Sequence, residues 1–318
     1  MEPSPLVTVV IVNLNTVDLL RECLRSLFAD PGAPSMEVIV MDNGSTDGSV
    51  AMVRDLFPWV IIRENRVNEG FAAPNNAGIR QARGTYCLLL NSDTEVRPGA
   101  LGTLVGFMES HPAAGACGPM LLNPDETLQR SVRGFPDLWT HAWDMLFLDR
   151  IFPRSPVFGR GEAGGFDYGK PACVDHLMAA AFLVRTRVFQ EVGLLDEGFR
   201  IYYNDMDWCY RLRKAGREIW YVPAARVMHH LGKTVGILNR NFGLFRALHE
   251  DVMRFFRKHY GPRAVPVYRM LLGVGSALRT LLWAARRAAG PSDRSSTMLR
   301  YSWKTFLFAC SFWRKSPP

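Results

Sequence analysis

Residues 7–15 read VTVVIVNLN, a β-branched apolar run from Val7 to Val12 that stops at Asn13 and Asn15. A short, continuously apolar run of this kind suits a strand buried on both faces, and an amide at its end must find a polar partner or a ligand. The same unit recurs. EVIVM (37–41) leads into DNGSTDG (42–48), WVII (59–62) leads toward NRVNEGFAAPNN (65–76), and YCLLL (86–90) leads into NSDTE (91–95). Helical patterns over 18–28, 49–57 and 75–82 separate the runs. The rhythm is strand–helix–strand, so the expected fold class is α/β, a mostly parallel sheet flanked by helices. Ligands of such sheets bind beyond the carboxyl ends of the strands, where these polar residues lie.

AAFLV (180–184) is a further strand candidate, and VGLLDEGF (192–199) leads from it into YYNDMDWCYR (202–211), where two carboxylates sit among four aromatic rings. Arg211–Ala215 continues that segment as a helix, and EIWYV (218–222) leads into MHHLGKT (228–234). Residues 121–170, rich in Gly, Pro and Trp, read as long loops.

At 318 residues and 48% hydrophobic content the chain can bury a full core. Its six cysteines show no C-x-x-C spacing, which argues against a disulfide framework or a structural zinc and favours a reducing compartment. The first residues lack a basic n-region and their apolar run is short for a secretory signal, so a cytoplasmic location is expected. The formal charge is +8, but residues 254–318 alone carry +12, leaving the front at −4. Charge confined to the tail, with no recognition motif beside it, gives no reason to expect nucleic acid. GKT (232–234) is not a P-loop, because Val227 stands where that pattern needs glycine, and no G-x-G-x-x-G follows the first strand.

In the tail, HEDVMRFFRKHY (249–260) reads as a helix ended by Gly261-Pro262. VPVYRMLLGVGSALRTLLWAARRAAG (265–290) is interrupted by Arg269 and Arg279 and has no uncharged run long enough to span a bilayer. On a helical projection Arg269, Arg279, Arg286 and Arg287 share one side, while Leu271, Val274, Leu278, Leu281 and Leu282 group on the other, with Leu272 and Trp283 breaking the pattern. The expected role is an interfacial helix on an anionic membrane surface; a helix packed on the domain or a partner is the alternative. MLRYSWKTFLFACSFWRK (298–315) repeats the basic and aromatic theme.

Taken alone, Asp42 is most simply a turn or capping aspartate. Asp47 and Ser49 are able to cap the next helix, however, which leaves Asp42 to accept from the N3–H of a pyrimidine base. Asn68, Gly70 and Asn76 supply amides and a permissive backbone at the third strand's exit. Asp93 follows the fourth buried strand, and a hard carboxylate there suits Mg²⁺ or Mn²⁺ and hence a diphosphate. His229 or His230 could add a nitrogen ligand.

Together these segments, from Val7 to Thr234, resemble glycosyltransferase family 2, the inverting nucleotide-sugar enzymes of GT-A fold, and particularly its bacterial rhamnosyltransferase-like members. The resemblance implies a catalytic domain over 1–250 followed by a basic amphipathic helical region over 251–318. It places Asn13, Asn15, Asp42, Asn68, Gly70, Asn76 and Asn91 at the donor, with Asp93 and His229 on Mg²⁺ or Mn²⁺. LLDEGFRIYYNDMDWCYRL (194–212) is similar to the family's acceptor and base segment. Asp205 is then the general base, Asp207 orients the segment, and Glu197, Tyr202, Tyr203, Asn204 and Trp208 belong to the acceptor site. The implied donor is a dTDP- or UDP-linked sugar and the implied acceptor a lipid-linked glycan or polysaccharide, met at the cytosolic face of the plasma membrane. Asn204 replaces a more usual Glu, one carboxylate remains in the D-x-D-like position, and His176 in VDHLMAA (174–180) stands where Trp is more usual, a departure expected to bear on acceptor specificity. A sugar nucleotidyltransferase would need a Gly-rich, Arg-containing loop at the first strand, which is missing. The non-enzymatic alternative is a sugar-nucleotide-binding or scaffold protein of a membrane glycan assembly.

Overall fold

The computed structural model describes residues 4–200, 203–230 and 242–311. The chain divides into two compact units, Met1–Arg133 with Phe166–Thr234, and Gly134–Gly165 with Val235–Pro318. The strands are β1 Val7–Asn13, β2 Met36–Asp42, β3 Ile61–Glu64, β4 Tyr86–Asn91, β5 Thr94–Val96, β6 Ala114–Leu122, β7 Leu128–Gln129, β8 Val132–Arg133, β9 Ala172–Cys173, β10 His176–Leu177, β11 Ala181–Arg185 and β12 Glu218–His229. The helices are α1 Val17–Phe28, α2 Ser49–Leu56, α3 Ala72–Gln81, α4 Ala100–Ser110, α5 Leu138–Met145, α6 Leu148–Ile151, α7 Val188–Val192, α8 Asn204–Lys214, α9 Phe242–Tyr260, α10 Ala264–Ala289 and α11 Asp293–Cys310.

In the first unit the main sheet runs β3-β2-β1-β4-β11-β6-β12-β5, with β7 beside β6 and β9 beside β12, while β8 and β10 form a separate pair. β1 to β4 are mutually parallel, β11 runs antiparallel to both β4 and β6, and β6 and β12 are parallel again. This is the α/β class expected. Val7, Val9, Val10 and Ile11 are fully buried, as a strand covered on both faces requires. The register aligns the strand exits: Asn13 lies opposite Asp42, and Val12 opposite Asn91.

Helix α3 begins at Ala72, three residues before the expected position, because Pro74 falls in the first turn, where no N–H is needed. Its Gly78 lies so close to β1 that a Cβ would stand 2.4 Å from Val10 Cγ1, so only glycine lets the helix approach this far. The sequence reading did not anticipate β6 (AGACGPMLL). Pro119 sits in that strand beside the register shift between Val222 and Arg226 of β12, a place where a missing donor is tolerated.

In the second unit, residues 134–165 are not merely loops: α5 is started by a capping box in which Asp137 accepts from Thr140 N. Within this unit His141 meets Phe256 and Tyr268 edge-on at 5.4 and 5.1 Å. The expected division of α10 into a basic and an apolar side does not hold along its whole length. Arg269 donates to the carbonyls of Ala309 and Phe308, Arg279 pairs with Asp144, and Leu272 is buried. Among the described residues no helix is long and apolar enough to cross a membrane.

Candidate active site

The loops after β1 and β2 are cross-linked by side chains. Asp42, 2% exposed, accepts through Oδ1 from Asn13 Nδ2 at 2.9 Å, and through Oδ2 from the amides of Ser45 at 2.8 Å and Gly44 at 3.2 Å. Isolated burial of a carboxylate costs several kcal/mol, and three donors offset that cost. Asn13 also donates to Ser45 Oγ and accepts from the Thr16 hydroxyl, which in turn lies 2.9 Å from Ser92 Oγ. Asn15, at φ 51°, accepts from Thr46 N at 2.8 Å. Asp47 accepts from Ser49 N and its hydroxyl, as expected, and also from Val17 N at the head of α1.

Asn43, which the sequence reading passed over, organises the next loop. Its Nδ2 donates to Asn68 Oδ1 and Gly70 O, and its Oδ1 accepts from Glu69 N and Asn65 Nδ2. Gly70 holds φ at +81°, a conformation that favours glycine. Asn68 remains exposed, whereas Asn76 is buried with both N–H groups used, on Leu195 O and on Glu197 Oε1.

At the end of β4, Asp93 Oδ1 lies 3.2 Å from His229 Nε2, and Asn91 Nδ2 lies 3.3 Å from the same nitrogen. Gln129 fixes the imidazole. Its Nε2 donates to Asn123 Oδ1 and His229 O, so its oxygen faces His229 Nδ1, 2.7 Å away. Nδ1 therefore carries the proton and Nε2 presents a lone pair toward a carboxylate, an arrangement that favours a cation between them. The pair fits a divalent metal. Among the described residues no group of three or more His, Cys, Asp or Glu side chains could hold one, so within them the site has two ligands. His230 instead pairs with Glu95 at 2.7 Å.

Asp205 lies in the first turn of α8, two residues after Tyr203, whose φ of 67° is unusual for a bulky residue. Its carboxylate accepts from Met206 N at 2.8 Å and Ala179 N at 3.2 Å. His176 Nε2 stands 3.3 Å from Oδ2, within ion-pair range but off the line of a hydrogen bond. Burial works against the charge of Asp205, yet His176 and the two amides outweigh it and hold the carboxyl below the usual carboxylate range. Asn204 is 2% exposed, and neither its amide oxygen nor its nitrogen has a hydrogen-bond partner among the described residues. Each such orphan costs about 1–3 kcal/mol, so this amide calls for a polar partner such as a water or a ligand. Asp207 is bound by Arg211, which also clamps the carbonyls of Val192 and Leu194. Ala180 O accepts from Asn91 N, so Asp205, through neighbouring Ala179, and Asp93 flank the carboxyl end of β4.

Three expectations change. Trp208 is 1% exposed, stands edge-on to Phe182 at 5.8 Å and donates to Gly193 O, so it is a core ring and not an acceptor wall. Asn13 and Asn76 have no N–H left for a donor sugar or base and act as struts, the latter tethering Glu197. Tyr202 and Gly232–Thr234 lie outside the described residues.

The model of glycosyl transferase family 2 matches residues 8–167. The chain is 29% identical over 228 residues to the N-acetylglucosaminyl-diphospho-decaprenol L-rhamnosyltransferase of Mycobacterium tuberculosis, covering 68% of this chain and 73% of that one. It is 26% identical over 235 residues to rhamnosyltransferase WbbL of Escherichia coli, covering 71% and 83%. A solved structure, GalNAc-T7 with UDP, GalNAc and Mn²⁺, matches with a TM-score of 0.54 at 16% identity, over 83% of this chain and 53% of that one, a likeness of fold.

Proposed function

Since the chain belongs to glycosyl transferase family 2, we propose that it moves a sugar, rhamnose or another hexose, from a dTDP- or UDP-linked donor to a hydroxyl of a lipid-linked or polysaccharide acceptor in cell-envelope glycan synthesis, with inversion. The names of the mycobacterial and enteric relatives support the rhamnosyl and lipid-diphosphate part of this reading. The observation that carries it is the Asp205 carboxylate, held by the amides of Met206 and Ala179 and close to His176, next to the orphan amide of Asn204 at the head of α8.

Asp205 takes the proton from the acceptor hydroxyl as that oxygen attacks the anomeric carbon, and the bond to the nucleoside diphosphate breaks in the same displacement. Asn204 supplies the amide that orients the acceptor. Asp42 and the loop held by Asn43 receive the nucleoside end of the donor, with Asn15, Asn68, Gly70 and Asn91 at its rim. Glu197 and Tyr203 flank the acceptor. A divalent ion held by Asp93 and His229, Mg²⁺ or Mn²⁺, supplies charge neutralisation for the departing diphosphate. The basic C-terminal region keeps the enzyme peripheral on the cytosolic face of the plasma membrane, where a lipid-linked acceptor is found.

The test is nucleoside-diphosphate release from a panel of dTDP-, UDP- and GDP-sugars, with and without metal and detergent-solubilised lipid-linked acceptors. Metal-dependent release from one donor, abolished by Asp205→Asn while nucleotide still binds, is expected. Silence toward every donor with a competent acceptor pool would overturn the reading and favour a binding protein.

A further inference from the structure

Beyond Ser276, α10 carries no buried residue. Leu281 is 69% and Leu282 51% exposed on α10, and Trp303 is 50% exposed on α11. Residues 277–304 carry six Lys or Arg, at 279, 286, 287, 294, 300 and 304, against one acid, Asp293. An exposed apolar surface is ordinarily either covered or broken up by mixed charge, and this one is flanked almost wholly by cations.

Between α10 and α11 lies a cavity of about 510 Å³ lined by Thr280, Arg287, Ser296, Leu299, Arg300 and Trp303. Among the described residues, neither Arg287 nor Arg300 takes part in an ion pair or hydrogen bond. The Thr280 hydroxyl is spent on Ser276 O. The donors left at the cavity are therefore two guanidiniums and the Ser296 hydroxyl, with no carboxylate in its lining. Forked cations without a counter-charge match the tetrahedral oxygens of a phosphate. Leu299 and the indole of Trp303 make the rest of the wall apolar, and indole rings favour the boundary between headgroups and acyl chains.

We infer that this cavity binds the phosphate of a membrane lipid, with Leu281, Leu282 and Trp303 seated in the outer edge of the bilayer. The inference rests on the membrane-surface part of the proposed function and is independent of the chemistry at Asp205. A lipid-borne phosphate unites both demands of the site, since a soluble anion would leave the neighbouring leucines in water. Its source is either a bulk anionic phospholipid or the diphosphate of a lipid-linked acceptor.

The experiment is vesicle co-sedimentation of the full chain. Phosphatidylcholine vesicles are compared with vesicles doped with phosphatidylglycerol or with a polyprenyl diphosphate, and inorganic pyrophosphate serves as soluble probe. Retention on doped over plain vesicles is expected to fall about thirtyfold in the Arg287→Gln, Arg300→Gln double variant, from the loss of two surface cations. Retention by phosphatidylglycerol assigns bulk lipid, and retention by the polyprenyl diphosphate alone assigns the acceptor lipid. Equal retention on plain vesicles, or a double variant that behaves as wild type, overturns the inference. So does arginine-dependent pyrophosphate binding without retention on any vesicle. Turnover of a soluble acceptor by the same variant reports that it is folded: if turnover persists while lipid selectivity is absent from the wild type, the lipid site falls and glycosyl transfer stands.

Discussion

The carboxyl edge of the sheet and the far half of the α10–α11 hairpin are both polar, and they treat their polar groups in opposite ways. At the sheet edge Asn13, Asn43 and Asn76 are bonded to neighbouring side chains and backbone, and the groups left at the opening include Asp93, facing an imidazole nitrogen that Asn91 also approaches, Asp205, and the orphan amide of Asn204. In the hairpin Arg287 and Arg300 lie exposed, and so do Leu281 and Leu282. A site for a small soluble ligand is marked by the few groups that an enclosed network leaves over. A site for a surface is marked by a place where burial itself stops.

The contrast is broken most directly at Asp205. Asp205→Asn is expected to lower kcat by about 10²–10⁴-fold, while the Arg287→Gln, Arg300→Gln variant keeps wild-type turnover on a soluble acceptor; comparable losses in the two would dissolve the distinction. The next effect is on stability. Burial lowers the pKa of His141 to about 4 and of His249 to about 3, from 6.5. Both are therefore neutral when folded, whereas the unfolded chain takes up protons below 6.5, so stability is lost as pH falls from there toward 4. His141 alone accounts for about 3 kcal/mol of that loss. Hydrogen exchange, corrected for its intrinsic pH dependence, should show α9 and α10 losing protection at pH 5 while β1 and β4 keep theirs. Equal loss in both units would refute the assignment.

A smaller change is expected from Gln129→Leu. With Nδ1 no longer held, His229 can present either nitrogen, and Mn²⁺ affinity, read from metal-dependent nucleotide binding, should fall about 10–100-fold. Unchanged affinity would mean that His229 is not a ligand. The smallest effect belongs to His176→Gln. Removing that imidazole takes away an interaction that helps lower the pKa of Asp205, so the acidic limb of kcat/KM should move to higher pH, with the value at neutral pH nearly kept. A large loss at neutral pH would make His176 a direct participant.

Strong periodicity made β1, β2, β4 and their helices readable, and the residues just after those strands were where the sheet rule placed them. The rule also explains what was missed. It looks after each strand, which is right for a parallel one, but β11 is reversed, so the residues before it, His176 to Ala180, reach the carboxyl edge. Gln129 and Asn43 act on other side chains instead of a ligand, and single amides of that kind carry no spacing signal. Trp208 was misplaced because a ring beside a base reads the same in sequence whether it faces the pocket or, one helical step away, the core. The hidden strand β6 is built from Ala and Gly where neighbours leave little room: a Cβ on Gly118 would meet Ala181 O at 3.1 Å. Helix α5 did leave a signal, the Asp137-x-x-Thr140 cap, within a region whose Gly and Pro content suggested loops.

The two-residue pairing of β8 with β10 sets His176 opposite Arg133 and Leu177 opposite Val132. Everything between them is thus an excursion that departs from one strand and comes back on its neighbour, roughly 4.8 Å away. The place of the imidazole beside Asp205 is fixed by strand pairing, at this clasp and at β9, which pairs with β12 just before it. Within that excursion the stretch 134–165 is itself tied to the helical unit, through Tyr260 on Pro136 and Arg279 on Asp144, while the two-residue clasp at its base holds the register of His176.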